Sequence, residues 1–299
     1  QLDSGLDDYR RLPVALEPAV RLRQALESAA ARYTATPAAE RVYGIQEAIR
    51  NLTSYVVTSL VVFTRAADTP RLYELPDLLE PFAPLAPPVY ALWQNALAVR
   101  EVGCLGRPRA ARRRWGEVYE RLGKLQAEDQ PRVPAIRKAV VFGIGLLEAA
   151  IGRPETFEWA KQLDDEPAHR VGAMHLRRMA CAMQGDAAGA ARYGREAELL
   201  ALRSKVAAML EPAWAIEYLA SALARDIAGL ERMIAGLTPL VRRYPGWTPQ
   251  LRLAQGKLQL LCGDAVRARQ LFEEACRLSA PTDPTGLKES WINASAGLC

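Results

Sequence analysis

Apolar residues recur every three to four positions along almost the whole chain, with charged and small polar residues between them. Leu16, Val20, Leu22 and Leu26 fall on one face, which predicts a first helix. Pro13 and Pro18 stand where such a helix starts, a place proline tolerates. Val42, Ile45, Ile49 and Leu52 mark the face of a second helix. The run Tyr55 to Phe63, YVVTSLVVF, reads in isolation as a strand, but its neighbours are helical and no hairpin turn flanks it. It is therefore read as buried helix. Six prolines fall between Pro70 and Pro88, yet Leu72, Leu75, Leu78, Leu79 and Phe82 keep helical spacing. This predicts a short helix and a kinked connector. The boundary falls there, between an N-terminal helical cap over residues 1–88 and a helical array over 89–299, continuous with it.

From Val89 onward the breaks between apolar stretches line up. Gly106-Arg107, Gly152-Arg153, Gly185-Asp186 and Gly263-Asp264 each end one helical pattern and open another. The glycines are 46, 33 and 78 residues apart. The last gap spans two units, so a further turn is expected near Arg225-Asp226, in ALARDIAGL. Helix–turn–helix units of about 34 to 47 residues are the period of helical repeat proteins.

The last unit, Leu251 to Leu278, resembles a tetratricopeptide repeat. Gly256 and Gly263 sit seven apart, Ala268, Phe272 and Ala275 match the small, aromatic and small positions of the second helix, and Pro281 closes the unit. In the Gly185 unit Ala190 and Ala197 match and Gly194 replaces the aromatic residue. In the Gly106 unit Ala111 and Trp115 match and Val118 replaces an alanine. The Gly152 unit departs furthest, with Phe157, Lys161 and Asp164 at the three positions. Gln255 and Gln259 stand on the first helix where the family prefers apolar residues. The resemblance implies an all-α, right-handed superhelical solenoid of antiparallel helix pairs, about six or seven of them. A second likeness rests on LYELPDLLEPFAPLAPPV, VVFGIGLLEAAIGRPETFEWAKQLDDEPAHRV, RRMACAMQGDAAGAARYGREAELLAL and VRRYPGWTPQLRLAQGKLQLLCGDAVRA. In that order they resemble the C-terminal helical region of large bacterial signalling proteins, in which a serine/threonine kinase or regulatory ATPase domain precedes it. It implies a protein or peptide partner and an attached or associated kinase or ATPase domain.

Composition adds little to this picture. Half of the 299 residues are hydrophobic, enough for a large core, and Ala, Leu and Arg favour helix. Five cysteines, an odd number with no CxxC pair, read as free thiols in a reducing compartment, so a cytoplasmic location is expected. The first residue is Gln, which reads as a processed or excised piece of a longer polypeptide. No apolar stretch approaches the roughly 20 residues of a membrane span, so no membrane partner is expected.

Candidate chemistry is sparse. There are two histidines, His169 and His175. His169 follows Asp164, Asp165 and Glu166 and reads as part of a polar loop rather than a metal site. No nucleophile, zinc or phosphate-loop motif occurs, and Gly143-Ile144-Gly145 reads as a close helix–helix approach. No catalytic residue, metal or cofactor is expected. The net charge of +5 is compatible with an acidic partner. Its sharpest concentration is Arg107, Arg109, Arg112, Arg113 and Arg114, with Arg112 to Arg114 taken as a partner contact. In the repeat alignment the positions facing a concave groove are Trp93, Arg100, Phe142, His175, Met179, Gln250 and Lys257. The expected function is protein or peptide recognition without catalysis. A nucleic-acid-binding array and a small-ligand sensor are the alternatives.

Overall fold

A computed structural model describes residues 28, 31, 35, 67, 69–80, 83, 87–124, 133–165, 167–204, 214–280 and 288–298. The helices expected over 16–26, 42–52 and 55–63, and the closing Pro281, lie outside the described residues. Those that are described form helices and turns, without strands. Twelve α-helices follow in order: α1 Thr69–Leu79, α2 Pro87–Gly103, α3 Pro108–Gly123, α4 Val133–Ala150, α5 Thr156–Lys161 and α6 Pro167–Met183. Then come α7 Ala187–Ser204, α8 Trp214–Ala224, α9 Ile227–Arg243, α10 Thr248–Leu261, α11 Ala265–Ser279 and α12 Lys288–Leu298, with a 3₁₀ turn at Pro245–Trp247 before α10.

Five corners join α2–α3, α4–α5, α6–α7, α8–α9 and α10–α11, and each carries one left-handed residue. Four are the glycines read from the sequence: Gly106, Gly152, Gly185 and Gly263, with φ from 62° to 89°. The fifth is Arg225, at φ 54°. The turn expected inside the 78-residue gap is therefore present, without the glycine that marks the others. Four corners close the same way. The amides of Arg153, Asp186, Asp226 and Asp264 each donate to the carbonyl five residues back, at 2.8–3.0 Å. This bond satisfies a carbonyl that the helix end leaves unpaired. At three corners the aspartate then caps the next helix. Asp186, Asp226 and Asp264 each accept from the amide three residues on, that of Gly189, Gly229 and Arg267, at 2.8–2.9 Å.

The two helices of each pair pack on each other, and the even-numbered helices also pack in succession. The contacts run α2 on α4, α4 on α6, α6 on α8, α8 on α10 and α10 on α12. In addition α12 touches α2. The main chain of Ala67, ahead of α1, lies so close to Gly246 that a β-carbon there would stand 2.3 Å from the Ala67 carbonyl oxygen. Ala67 shares a core cluster with Trp247, Leu251, Phe272 and Ala294.

Aromatic rings fill gaps that glycines leave. Trp115 of α3 lies on Gly143 of α4, and Phe272 of α11 lies between Gly256 of α10 and Gly297 of α12. A β-carbon at these glycines would come within 2.6–2.9 Å of ring carbons, so only glycine lets the helices meet at this distance. Gly145 likewise receives Leu176 of α6, and the Gly143–Gly145 pair is a helix-packing element on both sides. The apolar positions of α1 expected from the sequence, Leu72, Leu75 and Leu79, are buried despite Pro76 inside the helix.

Candidate functional site

The arginine cluster begins at the corner between α2 and α3. Successive residues of a helix point about 100° apart, so Arg112, Arg113 and Arg114 leave α3 in three directions. Arg112 turns toward α4, where its Nε donates to Glu148 Oε1 at 2.7 Å. Glu148 is nearly buried and also meets Arg153 of the next corner at 3.4 Å. Arg114 turns the other way, toward α2, donating to Gln94 Oε1 at 2.7 Å and lying 3.6 Å from Glu101. Arg113 points outward and is exposed. The triplet expected to act together is thus divided. Arg112 and Arg114 tie α3 to its two neighbours, while Arg113 stays on the surface.

Arg113 instead joins Arg107 and Arg109. These three, with Gly106, Pro108 and Ala110, line an open concavity of about 500 Å³ at the start of α3. Arg107 occupies the cap position and puts no side-chain acceptor on the helix amides, and Pro108 opens the helix. The start of α3 therefore carries no acidic side chain against its dipole, unlike the aspartate-capped starts of α7, α9 and α11. Trp115 belongs to none of this. It is buried, and its indole Nε1 donates to Asn95 Oδ1 at 2.9 Å.

The residues aligned to a concave groove all lie on even-numbered helices, the set that packs in succession. Their exposure differs. Met179 is 2% exposed and is a core side chain, because α6 is enclosed by α4, α5, α7 and α8. Gln250 is also buried, and its Oε1 has no hydrogen-bond partner among the described residues. Phe142 is half-buried with its ring edge on Gly172 of α6. His175 is largely buried, its Nδ1 lacking a partner among the described residues. Burial first, and the nearby Arg178 charge second, pull its pKa down to about 4, so the imidazole is neutral at pH 7. Arg100 pairs with Asp77 of α1 at 2.8 Å, donates to the Tyr73 carbonyl at 3.2 Å and lies over the Tyr73 ring. Trp93 and Lys257 are half-buried, and Trp93 meets Tyr90 edge-on.

The acidic loop before His169 is held by cations. Arg177 binds both carboxylate oxygens of Asp164, at 2.9 and 2.5 Å. Lys138 Nζ donates to Asp165, and that bond holds the carboxyl below its ordinary range. Both carboxylates thus have a cation of the chain itself as partner. No group of three or more His, Cys, Asp or Glu side chains placed to hold a metal occurs among the described residues. Nor does any helix there have the length and apolarity to cross a membrane.

One feature of this corner escapes a reading of the sequence and one does not. The separation of Arg113 from Arg112 and Arg114 depends on which helix lies on each side of α3, and a run of arginines does not reveal that. The bare helix start at Pro108 is legible: it lacks the aspartate that follows the left-handed residue at three other corners. No family model matches this chain, and no curated protein and no solved structure matches it.

Proposed function

We propose that this chain is a binding module without catalysis. In this reading the helix pairs form a tetratricopeptide-like, right-handed superhelical stack that recognises a segment of another protein, within a cytoplasmic bacterial signalling polypeptide. The observation that carries the reading is the succession of even-numbered helices, each packed on the next from α2 to α12. Stacking of this kind places equivalent positions of successive units side by side and makes one extended surface. The repeated corner supports it further, since one left-handed residue and one turn bond recur at four places. Recognition would use preformed side-chain positions, which limits the ordering cost of association. An attached kinase or ATPase domain would sense the partner through small changes at the unit interfaces.

The test is retrieval from the native cell with the full chain as bait, followed by cross-linking and mass spectrometry. One protein enriched over an unrelated helical bait, with cross-links to the even-numbered helices or the α2–α3 corner, is expected. No enrichment over that bait overturns the proposal.

A further inference from the structure

We infer that the corner between α2 and α3 binds a phosphoryl group carried by a segment of the partner protein. The inference deepens the binding-module reading and rests on it. Arg107, Arg109 and Arg113 line one concavity, and none of the three makes an ion pair among the described residues. Two neighbours of the same type, Arg112 and Arg114, are paired inward, so the lack of partners on the other three is a matter of placement and not of composition. Arg109 and Arg113 are four apart and share a face of α3, while Arg107 stands at its cap. Three arginines thus line one open space, at a helix start whose dipole adds positive potential.

The ligand chemistry follows from the charge and the size of the patch. Guanidinium groups bind planar pairs of oxygens through two parallel hydrogen bonds. A phosphoryl group has about −1.5 to −2 charge and three acceptor oxygens. It can engage more than one of these arginines at once, where a single carboxylate has two oxygens and one charge. A nucleic-acid strand fits less well. It needs a basic track over several phosphates, interleaved with exposed rings for the bases. Here Arg112 and Arg114 face inward and Trp115 is buried, so the patch ends after about one helical turn.

The experiment uses the full chain and four probes: a phosphoserine peptide flanked by alanine and glycine, its unphosphorylated twin, inorganic phosphate, and single-stranded oligothymidylate. Binding is followed by calorimetry or by anisotropy of a labelled peptide. The phosphopeptide binds and its twin does not, and inorganic phosphate competes. The triple variant R107A/R109A/R113A weakens the phosphopeptide by roughly tenfold or more, because charge-assisted bonds are lost, with an unchanged melting temperature. Arg267→Ala, an exposed arginine on α11 bonded to Gln270, leaves binding as it was. Equal binding by the triple variant, absence of phosphopeptide binding, or tighter binding of oligothymidylate overturns the inference. If the cellular partner stays on the triple variant and resists phosphatase, the inference falls while the binding module stands. If the intact chain retains no partner at all, the binding module itself falls.

Discussion

Arg225 holds a backbone conformation that four glycines hold at the equivalent corners. For a residue with a β-carbon the left-handed region costs about 1–2 kcal/mol. Glycine there removes that strain but gives the unfolded chain more freedom, which offsets part of the gain. Arg225→Gly is expected to stabilise the chain by about 0.5–1 kcal/mol, read as a higher midpoint in urea unfolding. A loss of stability would mean that the Arg225 side chain has contacts worth more than the strain. His175 makes a second prediction at this scale. Its native pKa of about 4 lies below the 6.5 of an unperturbed imidazole, so the unfolded chain takes up the proton first as pH falls. The stability due to the neutral buried ring is full above pH 6.5 and declines as pH drops toward 4. At about 1.4 kcal/mol per pKa unit the decline is about 3 kcal/mol. Urea midpoints at pH 7 and pH 4.5 should fall less for His175→Leu than for the wild-type chain. Equal falls would locate the acid sensitivity elsewhere.

Among the elements, glycine and aromatic residues work as matched pairs. Phe272 fills the space between Gly256 and Gly297 and ties α11 to both α10 and α12. Phe272→Ala is expected to cost about 3–5 kcal/mol, measured by denaturant unfolding, with α12 losing amide protection first. Gly143→Ala places a methyl group against the Trp115 ring and should cost about 1–3 kcal/mol. If Gly143→Ala is neutral, Trp115 has room that the packing does not show. The sequence disclosed these elements unevenly. Helices from Leu72 onward, the five corners and the core roles of Trp115, Phe272, Ala268 and Ala275 are visible because helical spacing and turn chemistry are local. Even Arg225 could be placed, since the gap around it was two units long. The exposure of the residues aligned to a groove was not legible to the same degree. Met179 and Gln250 sit on the expected helices but are buried, because exposure on a helix enclosed by four others depends on partners distant in sequence. The divided arginine run has the same cause, with α2 claiming Arg114 and α4 claiming Arg112.

For the molecule as a whole, the contact between α12 and α2 and the close approach of Ala67 to Gly246 change how it should come apart. In an open row the first and last units each lack one neighbour, and unfolding starts from them. Where α12 touches α2, these two described helices share an interface, and opening of α12 breaks that contact together with its packing on α10 and α11. Gly246→Val, which would press a side chain into the Ala67 carbonyl, is expected to break this joint. Amide exchange should then quicken in α1 and α12 by roughly tenfold or more, for a strain of about 1–3 kcal/mol, while α6 keeps its rate. Uniform quickening would mean that the joint does not act separately from the rest of the core. With the joint intact, the slowest exchange should extend from α2 to α12 and not stop short of either.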